Sequence, residues 1–137
     1  MSGPLDVERL RALPLFGELD HHDLSRLAAI THEVTVAAGE VVVAQGELPY
    51  EVLVIEEGEV EVTRNGEVLG TLGAGQLVGE IALVEQQRRM ATVTAKTDLR
   101  AVVISAVDLN VLAEEMPEVV EDIRSTARVR ERQNEQR

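Results

Sequence analysis

The fold is decided by residues 60–72, VEVTRNGEVLGTL. Valines alternate with polar residues before Asn65-Gly66, and this period of two is typical of a strand with one buried face. Asn and Gly both tolerate the positive φ that the central residues of a tight hairpin turn require. The stretch therefore predicts two antiparallel strands joined by a two-residue turn.

Short runs rich in valine extend this pattern on both sides of the hairpin, and glycines at 39, 46, 58, 66, 73 and 75 mark the turns between them. The runs predict strands at residues 34–36, 41–43, 52–55, 60–63, 68–72, 93–95 and 101–104. Such a succession of short strands indicates an antiparallel jelly-roll β-barrel. Because Phe16 and Tyr50 are the only aromatic residues, Val, Leu, Ile and Ala must fill its core.

Helical patterns precede the predicted barrel. The segment from Leu5 to Leu13 has apolar residues near helical spacing, and Pro14 interrupts it. Asp20 is suited to cap a second helix that ends near Ile30.

Helices are also expected after the last strand. Ser105, followed by Asp108 three residues later, predicts a capped helix, and Pro117 suits the first turn of another. The expected class is therefore mainly β with flanking α-helices, in a single domain of residues 1–137. It would comprise an N-terminal helical motif (1–31), the barrel (32–104) and C-terminal lid helices (105–137).

Composition excludes several classes of function. The net charge of −12 disfavours nonspecific binding to nucleic acid or an anionic membrane, since phosphate groups attract clustered Lys and Arg. The sequence contains no cysteine, no cleavable leader and no apolar run long enough to cross a bilayer. We therefore expect a cytoplasmic protein that binds neither nucleic acid nor membrane. His32 is the only histidine near a predicted strand, and no serine lies in a nucleophile elbow, so neither a metal site nor catalysis is expected.

Residues 78–93, VGEIALVEQQRRMATV, place a glycine, a carboxylate and a guanidinium at fixed offsets. Gly79 lets a ligand approach the main chain, and the short helical turn expected over residues 80–84 presents free N–H groups to an anion. Arg89 can add two parallel charge-assisted hydrogen bonds to a phosphate, whereas Glu80 can only accept hydrogen bonds, as from sugar hydroxyls. The predicted ligand combines a phosphate with a sugar.

This segment resembles the phosphate-binding cassette of the cyclic nucleotide-binding domain family, whose usual form is F-G-E-(L/I)-A-L, a variable loop and P-R-(A/T/S)-A-(T/S)-V. The resemblance implies that Glu80 holds the ribose 2′-hydroxyl, that Arg89 holds the cyclic phosphate and that the backbone amides of Ile81 and Ala82 complete the cradle. The full set of ligand-binding residues implied by the resemblance is Gly79, Glu80, Ile81, Ala82, Arg89, Met90 and Ala91.

Three positions depart from the family pattern. Val78 stands in place of the usual aromatic residue, Arg88 in place of proline and Met90 in place of a small or hydroxylated residue. None of these departures removes the two charged anchors, and we expect Arg88 to face water. Outside the cassette, the run at 45–47 (QGE) matches the family's Gln/Glu-Gly-Glu/Asp turn.

The last predicted helix carries one apolar stripe, formed by Val119, Val120, Ile123 and Ala127. In the family, two C-terminal helices close over the base and transmit the ligand signal, so Ile123, Arg124 and Ala127 are candidates to contact the purine. Ile123 is favoured, because a purine face needs an apolar cover. The alternative is that the stripe only packs on the barrel.

The leading hypothesis is a noncatalytic sensor, without a cofactor, that binds a 3′,5′-cyclic purine nucleotide and signals by moving its C-terminal helices. Cyclic AMP is the first choice, because the family often recognises cyclic GMP through a hydroxyl just after the cassette arginine and Met90 has none; Thr92 keeps cyclic GMP open. The signal would reach a protein effector in trans or in a longer chain, and a homodimer through the last helix is also expected. The alternative is a ligand-independent interaction or dimerisation module with a vestigial cassette.

Overall fold

Helices flank eight strands in the part of the chain that the computed structural model describes, residues 6–13, 16–17, 19–48, 51–78, 88–118, 120–121 and 125. The strands are β1 (Thr31–Val36), β2 (Val41–Val43), β3 (Glu51–Glu57), β4 (Val60–Arg64), β5 (Glu67–Leu72), β6 (Leu77–Val78), β7 (Thr92–Ala95) and β8 (Leu99–Ser105). The helices are α1 (Val7–Arg11), α2 (His21–Ile30) and α3 (Ala106–Glu115), and residues 117–118 and 120–121 are also helical.

The hairpin predicted at Asn65-Gly66 is confirmed. Asn65 has a φ of 53° and Gly66 a φ of 81°, and β4 pairs antiparallel with β5 up to Arg64 opposite Glu67. Among the described residues, Asn65 is the only one other than glycine with a positive φ. Asn is one of the few residue types that adopt this region readily, so the position of the turn follows from the sequence.

The described strands form two antiparallel four-stranded sheets, a first sheet with the order β1-β8-β3-β6 and a second with the order β2-β7-β4-β5. The mainly β class with flanking helices is confirmed, and the arrangement is jelly-roll-like. It differs from a closed barrel, because within these residues no strand of the first sheet is hydrogen-bonded to a strand of the second. The sheets are instead held together by apolar side chains between their facing surfaces.

All of the strands predicted from the sequence are present, and most extend beyond the apolar run that predicts them. The additional strand, β6, consists only of Leu77 and Val78. Two residues are too few to show a period of two, so β6 could not be predicted from the pattern. In the N-terminal part, α1 lies within the segment from Leu5 to Leu13 that the periodicity indicates.

The first sheet is the middle layer of the domain, and β3 shows this most clearly. Val52 and Val54 lie in a core shared with the helices, whereas Leu53 and Ile55 lie in a second core between the two sheets. None of these four side chains is more than 3% exposed. A strand buried on both faces is apolar at every position, which explains why residues 52–55 form a continuous apolar run.

The predicted helix caps are present. The Asp20 carboxylate accepts a hydrogen bond from the N–H of Asp23 at 2.8 Å, and the Ser105 hydroxyl oxygen accepts one from the N–H of Asp108 at 3.1 Å. Caps of this kind typically contribute about 1 kcal/mol each. The residues of α2 that its periodicity places on the inner face are buried, namely Leu24, Leu27 and Ala28.

An ion-pair network that the sequence does not reveal ties α1 to the first sheet. Arg9 Nη2 lies 2.7 Å from Glu56 Oε1 and 3.1 Å from Glu33 Oε1, while Arg100 Nη2 lies 2.9 Å from Glu57 Oε1. The pKa of Arg9 is raised mainly by its hydrogen bond to Glu56 and, to a lesser extent, by its hydrogen bond to Glu33. The network joins α1 to β1, β3 and β8, so it fixes the N-terminal helix against the middle layer.

Candidate functional site

Arg89 is the least exposed charged residue in the described part of the chain, at 7%. It lies just before β7 of the second sheet, and its Nη2 donates a hydrogen bond of 2.6 Å to the carbonyl oxygen of Glu51, the first residue of β3 in the first sheet. The guanidinium therefore connects the two sheets at the edge where β3 begins.

The main chain of Arg89 is held by the turn formed by residues 44–47. The N–H of Gly46 donates to the Arg89 carbonyl oxygen at 2.8 Å, and the N–H of Arg89 donates to the Glu47 carbonyl oxygen at 2.8 Å. A hydrogen bond of 3.2 Å from the N–H of Glu47 to the Ala44 carbonyl oxygen closes the turn. Gly46 has a φ of 89°, a value that favours glycine.

The residues next to Arg89 face outward. Arg88 is exposed, as expected, and its Nη1 also donates to the Gly46 carbonyl oxygen at 2.9 Å. Met90 is 42% exposed, its carbonyl oxygen accepts a hydrogen bond of 3.3 Å from Arg64 Nε, and Ala91 is half-buried. Of the paired arginines, Arg89 is thus the buried member.

The other predicted site residues lie outside the described part of the chain. This applies to Gly79, Glu80, Ile81 and Ala82 of the cassette and to Ile123, Arg124 and Ala127 of the proposed lid. The structure therefore places Arg89, Met90 and Ala91 and does not test their relation to the rest of the set. The described chain leaves the first sheet at Val78, which pairs with Leu53, and resumes beside the second sheet at Arg88.

Of the predicted apolar stripe, Val120 lies within the described residues. It is 2% exposed and packs in the core shared by the helices and the first sheet. The same core contains Leu109 and Leu112 of α3. The chain after α3 is therefore packed against the helix-bearing face of the middle layer at this residue.

The Arg89 side chain has the chemistry to bind an anion. A guanidinium stays protonated in proteins, and transferring it out of water is costly unless acceptors surround it. The Glu51 carbonyl oxygen supplies one such acceptor, and the planar fork of an arginine can also bind two oxygens of a phosphate in parallel. The guanidinium of Arg89 is thus a candidate group for binding an anion.

The described residues contain neither a metal-binding cluster nor a membrane-spanning helix. No group of three or more His, Cys, Asp or Glu side chains is placed to hold a metal ion. The helices within the described ranges are too short or too polar for any of them to traverse a lipid bilayer.

Several contacts at the site were not predicted from the sequence. The Gln45 side chain pairs with Asn65, and the Gln45 N–H donates to Thr92 Oγ1 at 3.0 Å. The acceptor for the Arg89 guanidinium is the backbone carbonyl of Glu51. A backbone acceptor leaves no residue signature. The match of residues 45–47 to the family turn is the sequence signal available for the segment that holds Arg89.

Comparison with known proteins identifies the family of the chain. The sequence model of the cyclic nucleotide-binding domain family matches residues 33–116. The chain is 38% identical over 92 residues to a cAMP-dependent protein kinase regulatory subunit of Schizosaccharomyces pombe, covering 66% of this chain and 22% of that protein. It is 36% identical over 116 residues to a cyclic nucleotide-gated potassium channel of Rhizobium etli, covering 85% of this chain and 32% of the channel.

The fold is shared with solved structures. A cyclic nucleotide-binding domain from Methylobacillus flagellatus superposes with a TM-score of 0.74 and 25% sequence identity, covering 91% of this chain and 76% of that one. The chain spans 22% and 32% of the length of the two relatives described above. Because the family match extends over more than half of the sequence and the fold agrees, the chain belongs to the cyclic nucleotide-binding domain family.

Proposed function

We propose that this domain binds a 3′,5′-cyclic purine nucleotide and that Arg89 holds the cyclic phosphate. The observation that carries the proposal is the state of Arg89, a cation only 7% exposed whose main chain and guanidinium are both hydrogen-bonded. A cation held this way needs little ordering when it meets an anion, and so loses less side-chain entropy on binding. The match to the family supplies the class of ligand.

The remaining contacts of the proposal come from the cassette. Glu80 would accept a hydrogen bond from the ribose 2′-hydroxyl, and the backbone amides of Ile81 and Ala82 would donate to the phosphate, with Gly79 allowing the close approach. A carboxylate and a guanidinium with these roles select a ligand that has both a free 2′-hydroxyl and a phosphate. Both features are present in cyclic AMP and cyclic GMP.

Cyclic AMP is the proposed ligand, ahead of cyclic GMP. Met90, just after Arg89, has no hydroxyl with which to recognise guanine. Thr92 has one, but its oxygen already accepts a hydrogen bond from the N–H of Gln45 at 3.0 Å. This bond orients the Thr92 side chain toward the 44–47 turn, but the hydroxyl keeps its own hydrogen and a second lone pair, so cyclic GMP stays open as the alternative ligand.

The proposed output is regulatory and noncatalytic. Ligand binding would move the C-terminal helices, with Ile123, Arg124 and Ala127 as the candidates that cover the base. Val120 packs beside α3 in the helix-side core, so a movement of this segment would alter that packing. The effector would be a protein in the cytoplasm, acting in trans or as part of a longer chain, and the last helix could pair in a homodimer.

Parallel calorimetric titrations with cyclic AMP, cyclic GMP and 5′-AMP test the ligand. We expect micromolar or tighter binding of cyclic AMP, weaker binding of cyclic GMP and little binding of 5′-AMP, which lacks the cyclic diester. The protein must first be shown to be free of copurified nucleotide. No heat and no thermal shift with any of the three compounds would refute the proposal.

A ligand-independent interaction module is the second candidate. The observation in its favour is that Val107 and Val111 of α3 are 73% and 46% exposed and lie one helical turn apart on the same face. Such a pair suits contact with another protein surface. Light scattering with and without cyclic AMP distinguishes the candidates, since the module predicts the same complex in both conditions.

A further inference from the structure

The 44–47 turn that holds Arg89 is itself held by a side chain from the hairpin tip. Gln45 Nε2 donates to Asn65 Oδ1 at 2.9 Å, and the backbone N–H of Asn65 donates to Gln45 Oε1 at 3.0 Å. The amide group of Gln45 therefore forms a two-bond pair with a residue twenty positions later in the chain. The pair links the 44–47 turn to the tip of the β4–β5 hairpin.

The hairpin tip is a firm support for this link. β4 pairs with β5 on one side and with β7 on the other, where Thr63 lies opposite Thr92. The tip also contacts the segment after Arg89, because Arg64 Nε donates to the Met90 carbonyl oxygen at 3.3 Å. It thus reaches the cassette arginine from two directions, through the 44–47 turn and through Met90.

The identity of residue 65 is not explained by the turn alone. The φ of 53° at this position would suit glycine at least as well as asparagine. The asparagine side chain, however, supplies the acceptor for Gln45 Nε2. Besides adopting the φ that the hairpin turn needs, Asn65 therefore contributes a bond to the turn that holds Arg89.

We infer that Gln45 and Asn65 are positioning residues for Arg89: their amide pair fixes the 44–47 turn, and the turn fixes the main chain from which the guanidinium extends. Neither residue needs to touch the ligand for this role. The consequence for ligand affinity rests on the proposed function, whereas the consequence for the Arg89 main chain does not. The two consequences can therefore be measured separately.

The first measurement is amide hydrogen exchange by NMR on the ligand-free protein. Gln45→Ala removes both bonds of the pair, and we expect the Arg89 and Gly46 amides to exchange roughly two- to tenfold faster, the factor for loss of an ordinary hydrogen bond. Asn65→Asp keeps an acceptor for Gln45 Nε2 and a backbone N–H, so exchange should stay close to that of the unmodified protein. Asn65→Gly keeps the turn geometry but loses the acceptor, and serves as the second variant if Gln45→Ala fails to fold.

Thr97→Val is the matched control. Thr97 lies beyond the far end of β7 from Arg89, and its hydroxyl accepts a hydrogen bond of 3.0 Å from the N–H of Glu59. The substitution thus removes this bond and the 3.2 Å hydrogen bond that the hydroxyl donates to the Asp98 carbonyl oxygen, without changing the net charge. It should leave exchange at Arg89 and Gly46 unaltered.

The second measurement is the affinity for cyclic AMP. Gln45→Ala should weaken binding roughly two- to tenfold. In a background that carries Arg89→Lys, which abolishes the fork but keeps the charge, the effect of Gln45→Ala should shrink to less than about twofold, because coupled residues are not additive. A general loosening of the fold would instead give the same factor in both backgrounds.

The outcomes separate the two ideas. Faster exchange at Arg89 with Gln45→Ala, absent with Thr97→Val and with Asn65→Asp, supports the positioning role. Unchanged exchange at Arg89, or an equal change with Thr97→Val, overturns it. If the unmodified protein binds no cyclic nucleotide, the proposed function is wrong and the exchange result alone still decides the positioning role.

Discussion

Replacement of Arg89 is the sharpest test of how the site would work. In Arg89→Ala the ligand loses its positively charged partner. In Arg89→Lys the protein keeps a positive charge at this position but loses the planar fork. We expect the affinity for cyclic AMP to fall in both variants and to fall further in Arg89→Ala. The reason is that the fork makes two parallel bonds to phosphate, whereas an ammonium acts as a point charge.

The magnitude follows from the contacts. A hydrogen bond to a charged group contributes about 1.5 to 3 kcal/mol, which corresponds to roughly ten- to 150-fold in affinity. The stability of the ligand-free domain should change much less. Arg89→Ala removes the 2.6 Å bond to the Glu51 carbonyl oxygen, but it also removes the cost of holding a cation at 7% exposure. These two effects oppose each other.

The assay pairs calorimetric titration of cyclic AMP with urea denaturation of the ligand-free protein. Arg88→Ala is the matched control, because it removes the neighbouring guanidinium, which is exposed and makes one bond to Gly46. We expect the control to change affinity by less than about fivefold. Unchanged affinity in Arg89→Ala would refute the phosphate assignment, and a loss of affinity matched by unfolding of the variant would refute the expectation of a local effect.

Three further predictions concern specificity, backbone and the ion-pair network. Met90→Thr should raise the affinity for cyclic GMP relative to cyclic AMP by roughly two- to tenfold, because it supplies a hydroxyl next to Arg89; competition titration measures the ratio. Gly58→Ala should lower the free energy of unfolding by about 2 kcal/mol or more, because Gly58 has a φ of 101° and a Cβ there would lie 2.5 Å from the Asp98 carbonyl oxygen. Urea denaturation measures this loss. Gly66→Ala is the milder comparison, because a Cβ at residue 66 would have open space. Arg9→Ala should cost roughly 1 kcal/mol of stability, since the Arg9 side chain is about one third exposed. The bonds to Glu56 and Glu33 raise the pKa of Arg9 in the folded state. The contribution of Arg9 to stability is therefore complete below its pKa in the unfolded state and is lost only as the pH rises through its higher pKa in the folded state. The stability cost of Arg9→Ala should thus be constant between about pH 6 and 9 in denaturation experiments, and a cost that disappeared within this range would contradict the prediction.

Local features of the fold were predictable because neighbouring residues determine them. The hairpin at Asn65-Gly66 follows from the φ that its turn needs, and the caps at Asp20 and Ser105 follow from the free N–H groups of a helix start. The strands follow from valine-rich runs bounded by glycine. The separation of the strands into two sheets could not be predicted, because it depends on which strands pair across long stretches of chain.

The site divides in the same way. Arg89 could be proposed as a site residue from its offset within the cassette, because a family motif fixes that offset. Its acceptor on Glu51 and the Gln45–Asn65 pair join positions far apart in the chain, and a carbonyl oxygen or an amide has no sequence pattern of its own. The same reason hides the ion pair between Arg9 and Glu56, which are 47 residues apart.

The bond from Arg89 to Glu51 joins the proposed ligand anchor to β3, the strand that also packs against the helices. Glu51 is followed directly by Val52, whose side chain lies in the core that also contains Val120 and α3 residues. A close-packed interior transmits small displacements rather than absorbing them. On the proposed function, detection of the nucleotide and its readout therefore share one strand, β3, and are separated by a single peptide unit.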